Sequence, residues 1–269
     1  MGCTCPAVHR VLEKMRFVGQ RPHPNQRLDE SHPEGTHLME SDAWTQVAVR
    51  LVAFSVLPVL LAAVHVRLDP SAKDRLWKAE VYLIYLFMLG VAASGLSGFF
   101  GHVFMPDVVA ESIDWPKGSP FQQEMGFANL ALGVLGLIAA GRRDGFREAT
   151  VIAVAVVGVG ATVVHVTDIV QEGNLAAGNS IQNIGNLLKP ALLIAVLIVS
   201  RRLEPVATRA LSFDRWRMRV VGTAGWVTAV VGTGFAIGFS LDLALPATLI
   251  AAVLAAGIVA RSASASRDE

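Results

Sequence analysis

Cysteine is nearly absent. The only two, Cys3 and Cys5, lie in the first five residues, so no disulfide can staple the remainder of the chain. Their absence further along also disfavours soft-metal, thiolate-based chemistry. Charge is scarce as well: Asp, Glu, Lys and Arg make up 17% of the 269 residues, where a soluble domain carries about a quarter. No H-E-x-x-H, G-x-S-x-G or other compact catalytic motif occurs. The last apolar segment lacks a lysine, which excludes a rhodopsin-type Schiff base. No period of about 20–50 residues repeats, so the chain is not a repeat array.

What is present is apolar: 53% of the residues are hydrophobic and the mean hydropathy is +0.49. Residues 1–44 stand apart. They contain four prolines, five basic and six acidic residues and four of the seven histidines, His9, His23, His32 and His37, with no apolar run. The segment is neither a signal peptide nor a transit peptide, and is expected to be a disordered tail. Met39 would serve as an alternative start. Seven apolar segments follow at 45–66, 79–104, 121–141, 149–171, 184–200, 218–239 and 245–260. Each is close to the ~20 residues that cross a hydrocarbon layer. The expectation is an all-α polytopic membrane bundle over residues 45–260, built as a five-helix core plus a C-terminal hairpin, with a tail at 261–269.

Lys and Arg set the orientation. The loops 67–78, 142–148 and 201–219 hold four, three and six of them, whereas the alternate loops hold Lys117 alone. The basic loops and the C-terminus are therefore placed in the cytoplasm and the N-terminus outside a cell membrane. Arg50, inside the first span, is read as snorkelling from the helix start.

With this orientation Asp107, Glu111, Asp114, Glu124, Asp168 and Glu172 collect on the outer side, with His102, His165, Asn129 and four further asparagines between 174 and 186. Ionisable groups at membrane depth are costly unless paired or hydrated, which makes them candidates for function. Gly90, Ser94, Gly98 and His102 recur every four residues, and Gln122, Gly126, Asn129, Gly133 and Gly136 form a second small-residue face. Gly158, Thr162, His165, Asp168 and Glu172 share one side of the fourth span. Residues 106–118 read as a short interfacial helix and turn, with Asp107, Glu111 and Asp114 on its solvated face. Ser119, Pro120 and Gln122 read as a capping box with proline at the first helical position. Glu124 then lies in the first turn, where the helix dipole favours a carboxylate.

The run SIDWPKGSPFQQEMGFANL, residues 112–130, resembles the motif of an uncharacterised bacterial family of multi-pass membrane proteins, a domain of unknown function. The resemblance covers roughly residues 80–200. It implies that Trp115, Pro120, Phe121, Gln122, Glu124, Gly126 and Asn129 are signature positions, and it brings no reaction, substrate or cofactor.

Three functional classes fit. In the first, His102, His165, Asp168 and Glu124 hold a divalent metal such as Zn, Fe or Mn, or His102 and His165 ligate a b-type haem. In the second, Glu124, Asp168 and His165 relay a proton or cation, although the inner halves of the spans offer no continuous polar path. In the third, the glycine faces serve only packing in an accessory subunit. The candidate site is His102, Glu124, Asn129, His165 and Asp168. The implied partners are the lipid bilayer and a second copy of the chain or another membrane subunit; no nucleic acid is expected.

Overall fold

The computed structural model describes residues 43–69, 74–203, 215–240 and 243–265. The chain divides into two units, Met1–Met39 and Glu40–Glu269, and every described residue belongs to the second. The expected tail 1–44 thus lies outside the described residues except for Ala43 and Trp44, which already belong to a helix. Among the described residues there are eight helices and no strand: α1 Ala43–Leu68, α2 Arg75–Phe104, α3 Pro106–Ser112, α4 Phe121–Gly141, α5 Phe146–Glu172, α6 Ala177–Leu203, α7 Arg215–Ser240 and α8 Ala244–Ala265. All except the seven-residue α3 are long and apolar enough to cross a membrane. The α4 bounds coincide with the expected span, and the other six long helices extend beyond theirs by four to ten residues in all.

Helix α2 is the axis of the bundle. In its apolar window 78% of the residues are buried, against 17% in α5 and 28% in α8, and α1, α4, α6 and α7 all pack on it. Its first turn is capped by Asp74, whose Oδ1 accepts from the Leu76 N–H at 3.1 Å. In α1, Pro58 cannot donate to the Phe54 carbonyl, and the preceding turn widens to π-helical geometry over Val52–Val56. The freed Phe54 carbonyl lies against Gly90, where an added Cβ would stand 3.3 Å from it. Gly90 belongs to a second π-helical stretch, Leu86–Ala93, that is buried throughout.

A close helix contact joins α2 to α4. A Cβ at Gly95 would fall 2.6 Å from the Asn129 carbonyl oxygen and 2.6 Å from the Gly133 nitrogen, so only glycine permits this backbone approach. The α4 face is the expected one. The α2 row splits three ways instead: Gly98 meets Asn129, Gly90 meets α1, and Ser94 meets Lys189 of α6. The reason is that residues four apart drift around the helix, and the central helix has neighbours on every side.

At the end away from His102 the structure departs from expectation. Glu80, 1% exposed, is enclosed by cations. Its Oε1 accepts from Arg147 Nη1 at 2.8 Å and from Ser200 Oγ at 3.1 Å. Its Oε2 lies 3.4 Å from Arg217 Nε and 3.6 Å from Arg143 Nε. Arg147 also donates to the Ala139 carbonyl at 3.1 Å and stacks over Phe87. Arg201 bonds Glu148 and the carbonyls of Arg143 and Asp144. These arginines, counted above as loop charges, therefore tie α2, α4, α5, α6 and α7 together from inside the bundle, and this half of the bundle is not uniformly apolar. Helix α8 continues to Ala265, into the segment expected to be a tail.

Candidate functional site

The other end of the bundle holds a cavity of about 410 Å³ between α1, α4, α5 and α6, roofed by α3 and the connection after it. This volume falls in the ~300–1,000 Å³ range of small-molecule sites. Helix α1 contributes Arg50, the last turn of α2 contributes His102, and α4 contributes Phe121, Gln122 and Asn129. Trp115 closes it from the connection, His165 lines it from α5, and Gln182 and Asn186 from α6. Where Gly158 and Asn186 line it, α5 and α6 come so close that a Cβ at Gly158 would stand 2.4 Å from the Asn186 carbonyl oxygen.

Both histidines are oriented by amides. The His102 Nδ1 lies 2.5 Å from Gln122 Oε1. Gln122, expected to reach back to its own helix start, is thus turned to α2, and only Ser119 Oγ caps, accepting from the Phe121 N–H at 3.3 Å. The His165 Nδ1 lies 2.6 Å from Asn179 Oδ1. Asn179 Nδ2 donates to Asp168 Oδ2 at 3.0 Å and to the Asn174 carbonyl at 2.9 Å. Its Oδ1 can therefore only accept, which puts the proton on His165 Nδ1 and leaves Nε2 as the other ring nitrogen. Asp168 Oδ2 also accepts from Trp115 Nε1 at 2.9 Å and Asn174 Nδ2 at 2.8 Å. Asn174 Nδ2 reaches the Ile113 carbonyl at 2.8 Å as well. One carboxylate oxygen with three donors therefore anchors the connection between α3 and α4 onto α5 and α6.

Of the five candidate residues, His102, Asn129 and His165 line the cavity, and Asp168 stands behind His165 through Asn179. Asn129 donates to the Met125 carbonyl at 2.8 Å. Glu124 is exposed and is not part of the lining. Asp107, Glu111 and Asp114 are exposed too, with Lys117 Nζ 3.0 Å from Glu111. Among the described residues no group of three or more His, Cys, Asp or Glu side chains could hold a metal ion.

The residue that sequence reasoning missed is Arg50. It does not snorkel to the surface. It lines the main cavity, a second one of about 220 Å³, and a small void shared with Lys189, Ser94 and Gln182. Among the described residues none forms a hydrogen bond or ion pair with it. Lys189 donates from Nζ to Ser94 Oγ at 2.9 Å. Among the described residues, no acidic side chain lines the main cavity. The only available signal was an arginine eight residues into an apolar helix, with no acid at helical spacing on its own span.

A long central helix, six further spans and a polar cavity at one end define a multi-pass helical membrane protein. No curated protein and no solved structure matches the chain. A family model does match, over residues 49–206, and the chain belongs to that family, described as a Family of unknown function (DUF6790). The match takes in α1 from Val49 onwards, and so Arg50, which the motif-based resemblance had left outside; α7 and α8 lie beyond it.

Proposed function

We propose that this protein is a membrane-embedded binding protein whose cavity at the His102 end takes a small anionic ligand. The observation that carries the reading is the Arg50 guanidinium, without a partner among the described residues, beside a cavity lined by no acid. An uncompensated cation at membrane depth is expensive, and a carboxylate or phosphate would engage the guanidinium fork in two charge-assisted hydrogen bonds. His102, Gln122, Asn129, His165 and Asn186 supply polar groups that would orient the rest of the ligand. The Lys and Arg bias of the loops supports the reading that this end faces outward from a cell membrane, with the basic loops in the cytoplasm.

The test is ligand-induced thermal stabilisation of protein in lipid nanodiscs with a panel of small carboxylates and phosphates. The expected result is a saturable rise in Tm that Arg50→Gln abolishes and Arg50→Lys weakens. A panel without any Arg50-dependent response would refute the reading.

One observation favours a second reading, a b-type haem between His102 and His165. Both line one cavity, and each has Nδ1 held by an amide oxygen, the arrangement that leaves Nε2 to ligate. Metal analysis and an absorption spectrum of purified protein test it; colourless, metal-free folded protein would sink it.

A further inference from the structure

Arg50 belongs to two cavities. Across it from the polar one lies the second, about 220 Å³, lined by Phe100, Phe104 and Met105 at the end of α2, by Phe235 of α7 and by Val109 of α3. Arg50 and Val109 are common to both. Among the described residues that line it, the second cavity is apolar apart from Arg50 and Ser97. Its rim is open to the side of the bundle, since Phe100 and Phe104 are 55% and 64% exposed. In a membrane that side is lipid. A guanidinium thus stands between a polar chamber and an apolar one with access from the hydrocarbon layer.

We infer that the ligand is an anionic amphiphile, with its acidic head on Arg50 at the polar cavity and its apolar chain in the pocket bounded by Phe100, Phe104 and Phe235. The inference rests on the anion reading above and adds the chain. Charge complementarity selects the head, because a neutral head would leave Arg50 uncompensated. The phenylalanine-lined pocket selects the tail, because it offers a chain no hydrogen-bond partner beyond Ser97 and Arg50. A ligand of this kind would enter sideways between α2 and α7, without passing through water.

The probes are butyrate, dodecanoate and dodecanol, with binding to the full chain measured in nanodiscs of zwitterionic lipid. Comparing variants in the same bilayer cancels partitioning of the probe into lipid. Ser97 of α2 and Ala236 of α7 both line the second cavity, and Ser97→Leu and Ala236→Leu each fill it from a different helix. Each is expected to weaken dodecanoate about tenfold or more, as loss of two buried methylenes at roughly fourfold each implies. Each should leave butyrate within about twofold, which also reports that the variant is folded. Arg50→Gln should weaken butyrate and dodecanoate alike, and dodecanol should bind more weakly than dodecanoate. If dodecanoate keeps its advantage over butyrate in both leucine variants, or dodecanol matches dodecanoate, the amphiphile inference is overturned while the anion site stands. If butyrate ignores Arg50→Gln, the anion site itself falls.

Discussion

Replacing Glu80 by glutamine removes one charge and almost no volume from the centre of the arginine cluster. Arg147, 0% exposed in its side chain, then loses the carboxylate 2.8 Å away, and the nitrogens of Arg217 and Arg143 lose theirs at 3.4 and 3.6 Å. At an effective dielectric of about 20, one pair of charges some 4 Å apart is worth roughly 4 kcal/mol. Desolvation of each ion offsets several kcal/mol of that, yet removing one partner of a buried pair still costs about 3–5 kcal/mol, because the remaining ion stays buried. At roughly 2–4 °C per kcal/mol for a chain of this size, Tm should fall by about 6–20 °C in thermal unfolding of detergent-solubilised protein. The double variant Glu80→Gln/Arg147→Gln should recover part of the loss, since the most deeply buried cation leaves with its partner, and a double-mutant cycle measures the coupling. A Tm for Glu80→Gln within about 2 °C of wild type would refute the reasoning, because it would mean that water reaches the guanidiniums.

Three more outcomes can be checked. Gly95→Ala pushes a methyl to 2.6 Å from the Asn129 carbonyl oxygen and should destabilise by about 1–3 kcal/mol; Gly141→Ala, with nothing within 4 Å, is the matched control and should be close to neutral. Asp168→Asn puts an amide among the donors Trp115, Asn174 and Asn179, at a cost of roughly 1–3 kcal/mol. It should shift Trp115 emission to the red and expose the 113–120 connection to protease. Asp144 is hydrogen-bonded to Arg142, which lowers its pKa below the ordinary carboxylate value. A carboxylate with a lowered folded pKa contributes stability above its unfolded pKa and loses it as pH falls through the folded one. Melting of wild type and Asp144→Asn should therefore differ at neutral pH and converge below about pH 4; a difference that persists in acid would contradict the pairing.

Seven spans were legible because hydropathy over about twenty residues is a local sum and needs no knowledge of neighbours. The α4 face was legible for a similar reason: Gly126, Asn129, Gly133 and Gly136 meet a single partner, so their helical spacing maps onto one interface. On α2 the same rule misled, since the central helix has partners all round. Single polar residues were the least legible. Glu124 looked like part of the site and is turned outward, whereas Gln122, two positions earlier, is buried on His102. The two differ by about 200° around the helix, and only the placement of α2 decides which of them faces in.

By itself the sequence determined an all-helical, seven-span membrane bundle and the gathering of His102, Asn129, His165 and Asp168 towards one end. Tertiary structure alone decided that Arg50 looks inward onto two cavities and that Glu80 draws Arg143, Arg147 and Arg217 around it. The physical reason is that a lone charge in an apolar helix carries no sign of its destination. Whether it reaches for the surface, pairs across the bundle or waits beside an open cavity depends on which helices stand against it.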